Sequence, residues 1–159
     1  MTQPGRLTHV DEAGHARMVD VSGKDVTVRQ ARASGRVLLS AEALAALRAG
    51  QVPKGDALAV ARIAGIQGAK RTPDLVPLCH PIALHSVAVD LSVGDDAVAI
   101  AATVRTADRT GVEMEALTAV TVAGLALIDM VKAIDPAAVI SDVRVEEKTG
   151  GKTGAWRRP

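Results

Sequence analysis

The chain has 159 residues, 48% of them apolar, so it holds one domain with a real core, and its net charge of +1 from 19 basic and 18 acidic side chains sets up no global field to recruit DNA or RNA. One Trp and no Tyr or Phe leave a core of Val, Ile, Leu and Ala and almost no platform for stacking bases, which argues further against single-stranded nucleic acid. A single cysteine excludes an internal disulfide and fits a reducing cytosol. The acidic N-terminus lacks the apolar run of a signal peptide, and the longest uncharged apolar run, Ala116 to Ile128, is 13 residues, too short for a bilayer, so a soluble cytoplasmic protein with no membrane partner is expected.

In chain order, residues 1–15 read as an irregular arm. Ala16 to Ser22 and Val26 to Leu39 alternate loosely and carry β-branched residues, which predicts strands. Ser40 can cap a short helix, Ala41 to Ala49, that Gly50 ends. Val52-Pro53-Lys54-Gly55 is a turn. Asp56 caps a second, Ala-rich helix reaching Ile66 or beyond, broken around Gly65 and Gly68. Ser86 to Val93 and Ala97 to Thr106 flank Gly94-Asp95-Asp96 and form the clearest hairpin. A long helix is expected from about Glu115 to Ile134, stopped by Pro136. Val139 to Glu146 is a last strand, and residues 148–159 form a flexible basic tail. No linker divides the chain, so residues 1–159 are one domain. Strands mixed with helices in this order predict an α+β fold, an antiparallel sheet with helices on one face. The long helix is apolar nearly all round, so a partner subunit is expected to cover what the sheet does not.

Several constellations carry chemistry. Pro77-Leu78-Cys79-His80-Pro81 puts a thiol and an imidazole on a stiff loop that regular structure does not explain. Only His85 lies near, which is a poor ligand set for zinc, and adjacent Cys and His side chains rarely meet as a nucleophilic pair. Backbone and imidazole hydrogen bonds to a ligand suit the loop better. Glu113 and Glu115 diverge if helical and share a side if extended; a carboxylate there can accept two N–H bonds from the edge of a guanine-like ring, or simply favour a helix N-terminus. Asp129 and Lys132 share a helix face, as a surface ion pair would. They follow a long apolar run, though, and a lysine beside buried apolar surface can exchange protons. Arg29, Lys54, Lys70, Arg71 and Arg109 are scattered cations that a triphosphate would need to find converged. Gly150-Gly151-Lys152-Thr153 imitates the end of a P-loop, but position 146 is Glu146 and no helix follows, so that reading fails.

Four blocks, LTHVDEAGHARMVDVSGK, KGDALAVARIAGIQGAKRT with LVPLCHPIAL, RTGVEMEALTAVTVAGLALIDMVKA and VEEKTGGKTG, resemble in order the cyclic pyranopterin monophosphate synthase (MoaC) family of molybdenum cofactor biosynthesis. The resemblance implies a ferredoxin-like subunit in a homohexamer, a trimer of dimers, with its site at the dimer interface. It implies a lyase that rearranges a cyclised dihydro-GTP, a purine-derived nucleoside triphosphate, to cyclic pyranopterin monophosphate and pyrophosphate. No cofactor is implied, and whether Mg²⁺ accompanies the triphosphate stays open. By the same resemblance Asp129, Lys54 and Lys132 are catalytic. Leu78, Cys79, His80, Glu113, Met114 and Glu115 bind substrate, with Arg29 and Lys148 as further charges of the site. Family members often carry an aromatic residue where this chain has Ile128, a difference of packing more than chemistry.

One part of this follows from helix geometry as well. Fourteen residues separate Glu115 from Asp129, about 21 Å along a helix and close to one stripe. A small ligand can touch both only if two such helices pack antiparallel about a two-fold axis. The expected site then takes Glu113, Glu115 and the Cys79–His80 loop from one chain and Asp129, Lys132 and Lys54 from its mate. A nucleotide-binding oligomer without activity, and a metal-dependent hydrolase using Cys79, His80 and His85, are the alternatives.

Overall fold

The computed structural model describes residues 8–159; residues 1–7 of the expected arm lie outside the described residues. In chain order the elements are β1 (Thr27–Leu38), α1 (Ala41–Ala49), α2 (Ala57–Lys70), α3 (Thr72–Leu75), β2 (Ser86–Val93), β3 (Ala97–Asp108), α4 (Glu113–Val131), β4 (Val139–Thr149) and β5 (Trp156–Arg157). The sheet runs β2-β3-β1-β4-β5 with every pairing antiparallel. The first four strands and the helices between them reproduce the βαββαβ order of a ferredoxin-like unit, as expected.

Alternation along β1 sends Ala31, Ala33 and Val37 inward, and β3 adds Val98, Ile100, Ala102 and Val104 to the same face. α4 lies on that face and buries Ala116, Ala119, Val120, Ala123 and Leu127. The small alanines are what let the helix approach the strands. Burying these aliphatic groups is the main force holding the layers together. By length and hydropathy α4 is apolar enough to cross a membrane, but half of that stretch is buried within the chain.

α2 packs along α4 and, contrary to expectation, is not broken at its glycines. A Cβ on Gly65 would stand 2.9 Å from the Ala119 carbonyl oxygen, and one on Gly68 would stand 2.8 Å from Val122 Cβ. Both residues are small because the two helices nearly touch, and that packing outweighs their poor helix propensity. Ser40 and Gly50 close α1 as anticipated: the Ser40 hydroxyl accepts from the Ala43 N–H at 3.2 Å, and Gly50 takes a left-handed φ of 65°.

Several elements differ from the expectation, and β3 and β4 run on to Asp108 and Thr149 rather than ending at Thr106 and Glu146. Ala16 to Ser22 is not a strand; only an isolated bridge joins Val10 to Ala16. The short helix α3 was not foreseen. α4 begins at Glu113 rather than Glu115 and ends at Val131 rather than Ile134. Behind it, the buried Asp135 carboxylate accepts from the Ser40 N–H at 2.7 Å and the Ala137 N–H at 3.0 Å, tying the end of α4 to the start of α1. Finally, the tail contains β5, which pairs Lys148 with Trp156 and Glu147 with Arg157.

Candidate functional site

A cavity of about 490 Å³ opens where the proline-framed loop, the start of α4 and the N-terminal arm meet. Leu78, Cys79, His80, Glu113, Met114 and Glu115 all line it. The loop is held by backbone rather than by metal-like ligation. The Cys79 N–H bonds the Val76 carbonyl at 3.1 Å, the His85 N–H bonds the Arg105 carbonyl at 2.9 Å, and the Thr106 hydroxyl donates to the Ala83 carbonyl at 2.6 Å. His80 Nε2 meets the Val19 carbonyl. A carbonyl only accepts, so Nε2 carries the proton there and a neutral imidazole keeps Nδ1 as an acceptor. His85 Nδ1 accepts from the Ala107 N–H at 3.3 Å and is not among the cavity's lining residues. Among the described residues no group of three or more His, Cys, Asp or Glu side chains is arranged to hold a metal ion.

Glu113 and Glu115 both stand in the first turn of α4, so they diverge. Glu113 reaches Lys148 Nζ at 2.9 Å, while Glu115 turns inward and is only 3% exposed. Burial pushes the Glu115 carboxyl up to about 7; its own backbone N–H pulls it back in part, and the Glu113 charge adds to the rise. Burial, and then the Glu115 charge, also push the Cys79 thiol up. A thiol held protonated in this way is a poor nucleophile and a weak donor.

Arg29 and Lys148 line a smaller cavity of about 70 Å³ that shares Glu113 with the first. Arg29 Nε donates to the Asp108 carbonyl at 3.0 Å. The start of the tail lies on Arg29, and glycines make that possible. Gly150 and Gly151 have φ of +87° and +75°, and a Cβ on Gly151 would fall 2.2 Å from an Arg29 guanidinium nitrogen. Lys152 then joins Lys24 and Arg29 around a neighbouring space of about 440 Å³.

The catalytic candidates gather at the other end of α4. Asp129 Oδ2 is 3.0 Å from Lys54 Nζ, and Asp129 Oδ1 is 2.8 Å from Lys132 Nζ. The turn before α2 brings Lys54 to the helix end, a meeting across 75 positions of sequence. Hydrogen bonds from Lys132 and then Lys54 hold the Asp129 carboxyl below the usual carboxylate range. The sequence placed Lys132 beside buried apolar surface, but in the single chain the side chains of Lys54, Asp129 and Lys132 are 43%, 55% and 57% exposed. The reason is the phase of α4. Its exposed stripe runs Met114, Thr121, Leu125, Asp129 and Lys132, while Glu115, about 40° from Asp129 around the helix, is covered by the rest of the chain.

Lys70 and Arg71 end α2 away from the lining of the Cys79 cavity, and Arg109 spends Nε on the Lys24 carbonyl at 3.0 Å. Sequence reasoning missed the arm altogether. Thr8, His9, Val19, Val21 and Lys24 form one wall of the cavity. A histidine and a lysine flanking the expected strand at Ala16 to Ser22 were the available signal.

Comparison with known proteins gives the family. The family model described as "MoaC family" matches residues 18–151. A Streptomyces avermitilis protein named cyclic pyranopterin monophosphate synthase is 74% identical over 96% of this chain and 90% of its own length. A Nocardioides protein of the same name is 67% identical over 98% of each chain. A Mycobacterium tuberculosis protein, cyclic pyranopterin monophosphate synthase 2, is 57% identical over 97% of this chain and 92% of its own. With a family model spanning most of its length and relatives this similar along nearly all of it, the chain belongs to the MoaC family.

Proposed function

We propose that the chain is a cyclic pyranopterin monophosphate synthase, a lyase of molybdenum cofactor biosynthesis. It converts a cyclised dihydro-GTP to cyclic pyranopterin monophosphate and releases pyrophosphate. Relatives bearing that name support the activity. The observation that carries the mechanism is the Lys54–Asp129–Lys132 cluster, in which one carboxylate bridges two amines at 2.8–3.0 Å. Binding alone does not require such a trio. An amine beside a carboxylate can give and take protons at a ring that opens and recloses.

Glu113 and Glu115 offer acceptors for the N–H edge of the ring, and the cations around Arg29, Lys148 and Lys152 offer a berth for phosphates. During pyrophosphate release a sugar hydroxyl oxygen bonds the α-phosphorus while its bond to the bridging oxygen breaks. Nearby cations stabilise the charge that develops on the leaving group. No resident cofactor enters this scheme; Mg²⁺, where present, arrives with the triphosphate. A reducing cytosol suits a cavity walled by a free thiol.

The two halves lie at opposite ends of α4, too far apart for one small ligand within one chain. The surface between them favours a second copy. Leu125 is 62% exposed, and Val60 and Ile63 of α2 are exposed as well. The Thr118 and Thr121 hydroxyls turn back to the Met114 and Leu117 carbonyls at 2.7 and 2.8 Å, which leaves methyl groups outward. An antiparallel mate on this face would bring its Asp129 cluster to the Glu115 cavity, and dimers of this kind can build the hexamer. Product formation from the cyclised substrate tests the activity. Mixing inactive Glu115→Ala and Asp129→Ala proteins under proven subunit exchange tests the sharing. Recovered turnover is expected, and its complete absence would rule out a site built jointly.

A further inference from the structure

With Glu115 ionised, the residues drawn from the sequence give the cavity more acceptors than donors. Glu113 and Glu115 accept when ionised, His80 spends Nε2 on the Val19 carbonyl, and the protonated Cys79 thiol is a weak donor. A ring of guanine type has an N–H edge that suits the carboxylates. Beside that edge it carries a carbonyl oxygen, which needs a donor.

The arm supplies basic donors. It is built into the cavity wall at several points. Residues 9–17 form a tight hairpin in which the Arg17 N–H bonds the His9 carbonyl and the Asp11 N–H bonds the His15 carbonyl, both at 2.9 Å. The Asp11 carboxylate closes its turn by accepting the Ala13 and His15 N–H groups at 2.9 Å. Further along, His80 holds the Val19 carbonyl and Arg109 holds the Lys24 carbonyl. Lys24 also lines the space it shares with Arg29 and Lys152, which places it on the cationic side. His9 lines only the Glu113–Glu115 cavity among these spaces, and among the described residues no hydrogen-bond partner occupies its ring.

We propose that His9 is a specificity-determining residue, donating a ring N–H to the carbonyl oxygen of the purine-derived ring and so selecting 6-oxo over 6-amino nucleotides. A 6-amino group in that position would set donor against donor. The Thr8 and Thr110 hydroxyls also line the cavity and can turn to accept or donate, as an imidazole can by changing tautomer, so the selection rests on His9 presenting its N–H to the ring. The inference rests on the proposed function only in placing the ring in this cavity.

The test measures GTP and ATP binding by the full-length wild type and by His9→Ala, His9→Asn and His9→Gln, whose amide nitrogens stand in for Nδ1 and Nε2. Wild type should prefer GTP. His9→Ala should lower GTP affinity about three- to tenfold, the range expected for one lost hydrogen bond, with a smaller change for ATP. The GTP-to-ATP ratio should therefore fall. At least one amide variant should recover part of that ratio, and in turnover KM should rise by more than kcat falls. A merely structural role would weaken both nucleotides together. An unchanged ratio in His9→Ala, in wild type that binds GTP and loses it in Glu115→Ala, overturns the role of His9 alone. Wild-type GTP binding indifferent to Glu115→Ala overturns the placement of the ring, and with it both readings.

Discussion

Replacing Glu115 by glutamine should remove a specific pH dependence from the stability of the fold. The Glu115 carboxyl titrates near 4.5 when solvated and is pushed up to about 7 in the folded chain, chiefly because it is buried. Below pH 4.5 the group is protonated in both states and the folded chain bears no charged-burial penalty. Between 4.5 and 7 the folded chain keeps a proton that the unfolded chain releases, so stability falls as pH rises. Above 7 both states are ionised and the contribution is gone. At about 1.36 kcal/mol per unit, that shift corresponds to a loss on the order of 3 kcal/mol across the window. Urea unfolding from pH 4.5 to 8.5, at one protomer concentration, reads the difference between wild type and Glu115→Gln. The glutamine variant keeps the shape and removes the titration, so the difference should tilt in its favour by about 3 kcal/mol toward high pH. Parallel profiles would show that the carboxyl is solvated, and the cavity would then lose its buried acid.

Two further outcomes test other parts of the structure. Lys54→Ala and Lys132→Ala should each cut turnover by about 10²–10⁴-fold. Both side chains are more than two-fifths exposed, so the circular dichroism spectrum and melting temperature should hold near wild type; a rate close to wild type in either variant would remove that lysine from the chemistry. Gly65→Leu should destabilise the chain by about 1–3 kcal/mol in chemical unfolding, because its Cβ would start 2.9 Å from the Ala119 carbonyl oxygen and force α2 away from α4. A neutral result there would mean that the two helices are not in close contact.

The parts of the fold legible in the sequence are those set by local chemistry. Ser40 and Gly50 bound α1 because a hydroxyl and a left-handed glycine satisfy helix ends wherever they stand. The Ser86–Val93 strand was readable from its alternation and the turn after it. The arm from Ala16 to Ser22 misled because its β-branched residues are compatible with a strand, but among the described residues the segment pairs only through the single Val10–Ala16 bridge. α2 misled in the other sense: Gly65 and Gly68 look like breaks until α4 is laid against them.

The candidate site divides in the same way. Types and spacing of side chains, with the family resemblance, were enough to nominate Cys79, His80, Glu113, Glu115, Asp129, Lys54 and Lys132. Nothing local brings Lys54 to Asp129 across 75 positions, turns Glu115 inward while Met114 faces out, or folds His9 and Lys24 over the cavity. Those outcomes depend on which faces the sheet and α2 leave to α4, and burial of that kind is a property of the assembled layers. The sequence alone therefore determined the inventory of acids, amines and caps; the tertiary structure decided their protonation, their neighbours and the side of the helix from which each one works, because desolvation and distance exist only after the chain has packed.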